Sequence, residues 1–185
     1  MSTGIRILIN SNPVNPEFII PYSAKVGGSS MFGNDVSCTP IVFGNSEGES
    51  IDVQNSGSFI DGSGANSFFP IKNSWTVPRA LTAKSLTVTL GIPSNSITTL
   101  LNGKLRVALF ISTDKGLTYN RYDNLYVDFT LDNLVPGTSL TLSSLTPQGI
   151  PEGSLVALIP TVVPTGVAVP TGDVSYTISA SLICA

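Results

Sequence analysis

Histidine is absent from this 185-residue chain. Its absence removes Ser-His-Asp and Cys-His nucleophile chemistry, the commonest general base, and every metal site built on imidazole. An enzyme would have to work through carboxylate, Lys or Tyr chemistry alone. Charge is scarce too: Asp, Glu, Lys and Arg make up 11% of the residues, against roughly 25% in an ordinary soluble domain. A surface so poor in charge is expected to face other protein, so the composition predicts an oligomer. Nine basic residues and a net charge of −3 leave no clustered Lys and Arg of the kind that grips nucleic acid. No apolar run approaches the ~20 residues of a membrane-spanning helix. The opening "MSTGIRILIN" lacks the long apolar core and small-residue cleavage site of a signal peptide. Neither nucleic acid nor membrane is therefore expected as a partner.

Cysteine is sparse as well. Cys38 and Cys184 are too few for a disulfide framework. They permit one bridge, within or between chains, or two partly buried free thiols. Two thiols without His also fall short of a metal's ligand count, so no metal and no cofactor is expected.

Helix-period segments are missing, and what remains is alternation. Apolar residues alternate with polar ones in runs bounded by Gly, Pro, Asn, Asp and Ser, the signature of strands and turns. Expected strands are "IRILIN" (5–10), "EFIIPYSAKV" (17–26), "CTPIVFGNS" (38–46), "SIDVQNSGSFI" (50–60) and "SLTVTLGI" (85–92). In the second half, "GKLRVALFIST" (103–113) meets "LTYNRY" (117–122) across the turn "DKG" (114–116), as a hairpin. "NLYVDFTLDNL" (124–134), "TSLTLSSL" (138–145), "GSLVALIPTVV" (153–163) and "GDVSYTISASLICA" (172–185) follow. The run at 153–163 is nearly continuous in apolar residues and reads as a strand buried on both faces. In the last run Val174, Tyr176, Ile178, Ala180 and Leu182 share one face. Some nine or ten short strands predict an all-β domain, best fitted by a two-sheet jelly-roll sandwich. Residues 1–16 read as an N-terminal strand with a Pro-rich connector, and 17–185 as one β domain.

Candidate chemistry is thin. Asp61-Gly62-Ser63-Gly64, Asp114-Lys115-Gly116 and Asp132-Asn133 offer oxygens, but none has the calcium-loop spacing, and Asp beside Gly makes turns. "GIPEGS" (149–154) is likewise a turn, because no helix follows it to hold an anion. Glu47 and Glu49 are a close carboxylate pair in a Gly-Ser-rich turn, whereas glycoside cleavage needs two carboxylates flanking a sugar. They read as solvated loop charges. Tyr119, Arg121, Tyr122 and Tyr126 cluster in the hairpin region, as a sheet face or as a surface for a sugar or protein partner.

The stretch "SWTVPRALTAKSLTVTL" (74–90) holds the sole tryptophan and a Val-Pro-Arg that resembles a trypsin-type target. Proline cannot donate to a sheet ladder, so Pro78 marks the end of one strand before "SLTVTL" begins the next. Trp75 is then a core or interface anchor, and the protease resemblance is incidental.

"IIPYS", "IVFGNS", "WTVPRALTAKSLTVTL" and "GDVSYTISASL" stand in an order that resembles the C-terminal domains of bacterial spore-surface (exosporium) collagen-like glycoproteins of the BclA and BclB type. The likeness spans most of residues 17–183. It implies a jelly roll like those of complement component C1q and tumour necrosis factor, assembled as a homotrimer with apolar and aromatic strand faces around a three-fold axis. It implies no enzyme activity, a structural role at the bacterial spore surface, and other exosporium proteins as partners. The collagen-like stalk and anchoring leader of that group are not in this sequence, so it reads as a head domain or a stand-alone subunit. A further option is a subunit of a spore-appendage or pilus-like fibre. There Ile5, Ile7 and Ile9 would form a donor strand inserted into a neighbouring copy, and Cys38 and Cys184 could lock the joint. A third is a carbohydrate- or receptor-binding head of a phage fibre or adhesin, using Tyr119, Tyr122 and Tyr126.

Overall fold

Alternation becomes strand throughout the computed structural model, which describes residues 17–31, 36–38, 51–53, 58–60, 74–94, 103–130, 135–165 and 172–185. Among the described residues twelve strands follow one another: β1 (Phe18–Met31), β2 (Val36–Cys38), β3 (Ile51–Val53), β4 (Ser58–Ile60), β5 (Trp75–Thr76), β6 (Leu81–Gly91), β7 (Gly103–Ser112), β8 (Thr118–Thr130), β9 (Ser139–Ser144), β10 (Gln148–Ile150), β11 (Leu155–Pro164) and β12 (Gly172–Cys184). The first sheet runs β1-β12-β6, with β9 and β10 side by side along the far edge of β6. The second runs β4-β8-β7-β11-β5, and β2 pairs β3 separately. All of these pairings are antiparallel. Setting aside the three-residue strands, the first sheet reads 1-8-3-6 and the second 2-7-4-5 in chain order. That interleaving is two Greek keys wrapped together, a jelly-roll sandwich.

The core lies between the sheets. Leu86, Val88 and Leu90 of β6 and Ile178 and Leu182 of β12 meet Leu105, Val107, Leu109, Phe129 and Leu158 of the opposite sheet. Each is buried because its strand places every second residue inward. Ala108, Phe110, Ala157 and Ile159 are buried too, on the outer side of β7 and β11. The second face of β11 is thus buried at Ala157 and Ile159, as the continuous apolar run predicts. Pro160 fits in β11 because β5 pairs only with Leu155 and Val156, leaving the opposite edge of β11 without a described partner there.

Several boundaries differ from the sequence reading. Residues 117–134 hold one long strand over 118–130, not two, and a register shift opposite Ala108–Phe110 absorbs the irregularity. "SIDVQNSGSFI" supplies two short strands rather than one. Of the strand expected at 38–46, only Cys38 lies in a described strand, β2. The strand expected at 5–10 lies outside the described residues, as do Glu47, Glu49, Asp61 and Asp132. Pro78 ends β5 as expected, within a bend before β6. The Pro136-Gly137 turn is type II. Thr138 N–H donates to the Val135 carbonyl at 3.1 Å, and Gly137 takes the positive φ of 83° that this turn demands of its third residue.

Candidate functional site

The jelly roll leaves an outer face of the first sheet whose composition is unusual. Register places Ser181, Thr87 and Ser143 in one row across β12, β6 and β9. Ser179, Thr89 and Thr141 form the next row, and Thr177, Gly91 and Ser139 the third. Within the rows hydroxyls tie β6 to β9, Thr87 with Ser143 at 2.9 Å and Thr89 with Thr141 at 2.8 Å. No residue of the nine carries a charge. Charges stand at the ends: the Lys84 ammonium meets Glu17 at 2.6 Å, and Lys25 sits opposite Thr177 on β1. Beside the grid β1 and β12 add Ile19, Pro21 and Ile183, and Ile19 is 64% exposed. The face is therefore hydroxyl-covered and apolar at one corner, whereas the buried apolar and aromatic residues outside the main core lie on the outer side of the second sheet. Among the described residues, the aromatic residues of this sheet, Phe18, Tyr22 and Tyr176, pack on the core side.

Trp75 is half-buried where the two sheets meet along β1 and β5. Phe18 approaches it edge-on at 6.2 Å, and both pack against the core. It closes that side of the sandwich and is a core anchor. The tyrosines separate. Tyr119 is fully buried in the outer cluster of the second sheet, its hydroxyl 2.7 Å from that of Ser74. Tyr122 packs against the main core. Tyr126 alone combines partial exposure with a polar setting. The Arg106 guanidinium lies 3.9 Å from its ring centroid and makes a two-pronged bond to Asp128, at 2.7 and 2.8 Å. The three tyrosines thus do not form one surface, because Tyr119 is packed away in the outer cluster.

Cys184 is a free thiol with no exposed surface, on the core side of β12. Ala185 beyond it exchanges two backbone hydrogen bonds with Thr82, at 2.8 and 2.9 Å, so this end of the strand is tied to β6. Burial pushes the thiol pKa up to about 11, which keeps it protonated and poor as a nucleophile. A bridge from Cys184 to a neighbouring copy would require the strand end to leave the sheet. In a Cys38→Ser protein, maleimide at pH 8 is expected to leave Cys184 unmodified in the native state and to label it fully in denaturant. Rapid labelling of the folded protein, read by mass spectrometry, would show that the strand end opens. The donor-strand residues Ile5, Ile7 and Ile9 lie outside the described residues, and Cys38 is placed in β2 by its backbone alone.

Asp114 does the work of a turn. Its carboxylate accepts hydrogen bonds from the Thr118 hydroxyl, the Ser112 hydroxyl at 2.7 Å and the Thr118 N–H at 2.9 Å. Lys115 and Gly116 carry positive φ values of 64° and 91°, so the side chain organises a strained connection. These bonds, that of the Thr118 hydroxyl foremost, bring the carboxyl pKa down to about 2. A folded pKa below the unfolded value of ~3.9 adds stability above that value, lost as pH falls through about 2. Asp114→Ala is expected to cost about 1 kcal/mol at neutral pH, discounted for solvent screening. The gap in melting temperature from the parent should close as pH approaches 2, and a gap that stays constant with pH would contradict the assignment.

No family model and no curated protein matches the chain. Among solved structures, the structure of infectious bursal disease virus Gx strain is similar at 12% identity and a TM-score of 0.39, covering 92% of this chain and 33% of that one. The chain thus spans about a third of that structure's length. The globular domain of zebrafish complement 1qA protein is similar at 16% identity and a TM-score of 0.36, covering 90% of this chain and 95% of that one.

Proposed function

We propose that this protein is a non-enzymatic structural subunit of the bacterial spore surface that assembles with copies of itself into a homotrimer. The outer face of the first sheet, uncharged at the nine grid positions of β12, β6 and β9, carries the reading. A four-stranded face some nine residues long has a footprint on the order of 600 Å² from strand spacing and rise. That is close to the ~800 Å² each partner gives to a standard protein interface. Hydroxyl groups on a flat sheet lose little on being covered by an equivalent surface, because each can pair with a partner hydroxyl. Ile19, Pro21 and Ile183 add an apolar corner that gains from removal from water. The shortage of charge across the chain agrees with a surface largely shared with other protein. The spore-surface setting, and other exosporium proteins as neighbours, rest on the four-motif resemblance.

Light scattering after size-exclusion chromatography tests the assembly. Three copies of 19.3 kDa give about 58 kDa, unchanged by reductant. A monomer would overturn the reading, and large polydisperse material would replace the closed trimer with a fibre.

A further inference from the structure

The β1 and β5 side of the sandwich is closed by Phe18 and Trp75, whereas among the described residues no aromatic pair closes the opposite side. There β8 and β9, one from each sheet, flank a groove of about 430 Å³. We infer that this groove binds an uncharged oligosaccharide. Its volume falls within the ~300–1,000 Å³ of small-molecule sites. Val127 and Leu142 supply apolar surface in it, and both also belong to or pack against the core. Asn124, Tyr126 and Asp128 line it from β8, and Ser143 and Ser144 from β9.

The electrostatics select the ligand class. Asp128 already has its counter-ion, since Arg106 holds both carboxylate oxygens. Among the described residues no lysine or arginine lines the groove, so an anion finds no cation of its own there. One carboxylate, paired to a guanidinium, is also too little to hold a metal ion. What remains is a neutral molecule with hydroxyl groups on its rim and C–H groups on its faces. A sugar ring has that shape: its C–H faces suit Val127 and Leu142, and its hydroxyls suit an amide, a carboxylate and serine hydroxyls. Arg106 also fixes the wall before any ligand arrives. Stacked on Tyr126 and bonded to Asp128, it holds both side chains in one arrangement, so little ordering entropy remains to be lost on binding. An extended peptide added to the edge of β8 is the competing occupant. It would draw on backbone groups, whereas this groove is lined mainly by polar side chains.

Ser143 belongs both to the hydroxyl grid and to the groove, so the test is run on the full chain in its native assembly state and on the Thr89→Arg variant, in which the grid is not covered. Maltotriose, mannotriose and chitotriose are titrated calorimetrically beside sialyllactose and an alternating Thr-Val hexapeptide. At least one neutral trisaccharide is expected to bind with a Kd on the order of 1 mM or tighter. Asn124→Ala and Ser144→Ala, at exposed and half-exposed positions, should each weaken it about tenfold with the melting temperature unchanged. Binding by none of the three, binding indifferent to both substitutions, or tighter binding by sialyllactose or the hexapeptide would each overturn the assignment.

Discussion

A single arginine at Thr89 or Ser179 is expected to turn the assembled protein into a monomer near 19.3 kDa. The two residues are neighbours in the middle row of the hydroxyl grid, on β6 and β12. In the isolated chain an arginine at Ser179 points into water, and at the half-buried Thr89 its long stem lies along the sheet with the guanidinium in solvent. The fold should therefore survive. In a trimer built on this face the same guanidinium is covered by another subunit without a carboxylate to meet it. Stranding a charge in that way costs several kcal/mol, and ~3 kcal/mol already raises a dissociation constant by about two orders of magnitude. Symmetry multiplies the effect, since every copy brings the same charge toward the others. Leu117→Arg is the control: Leu117 is exposed in the β7–β8 connection of the other sheet and should leave the mass unaltered. A trimer that persists with Arg at both Thr89 and Ser179 would move the interface elsewhere on the molecule.

The sandwich was legible because alternation is the direct consequence of a strand with one buried side. Thr87-Val88-Thr89-Leu90 and Ser179-Ala180-Ser181-Leu182 declare their faces without reference to anything distant. The character of the leftover face was legible in the same letters. Tyr22 and Tyr176 occupy inward positions in their strands, and Ser and Thr fill the outward ones. The tyrosine hairpin is a different matter. Tyr119 and Tyr126 are seven residues apart, which in a regular strand sends them to opposite sides. The register shift in β8 resets the parity: Arg121 stands opposite Phe110, and Tyr126 opposite Ala108, two residues away on the same side of β7. A bulge of this kind leaves no period in the sequence, so neither the shared side nor the Arg106 stacking could be read there. Cys184 marks a related limit. Its place in the sequence leaves a bridge and a buried thiol both open, and only the ladder that runs through it shows the thiol turned to the core.

Tyr119→Ala is expected to be among the most damaging single changes in the chain, although sequence alone grouped Tyr119 with a binding surface. The ring is completely buried with Ala108, Phe110, Ala157 and Ile159, on the side of the second sheet away from the main core. Small neighbours such as Ala108 and Ala157 cannot swing into the space left by a phenol. The cavity would stay open, and large-to-small changes of this kind cost ~3–5 kcal/mol. The Ser74 hydroxyl also loses its partner at 2.7 Å. At ~2–4 °C per kcal/mol for a chain of this size, the melting temperature should fall by roughly 6–20 °C. Tyr119→Phe keeps the ring and gives up only the hydroxyl, so about 1 kcal/mol is expected for it. Tyr126→Ala should fall short of Tyr119→Ala, because its half-exposed ring only borders the outer cluster and its other face carries the Arg106 stack. Denaturant melts of the three variants separate the roles. If Tyr119→Ala and Tyr126→Ala proved equally mild, the outer cluster would not be a packed core, and that side of the second sheet would become available as a binding surface after all.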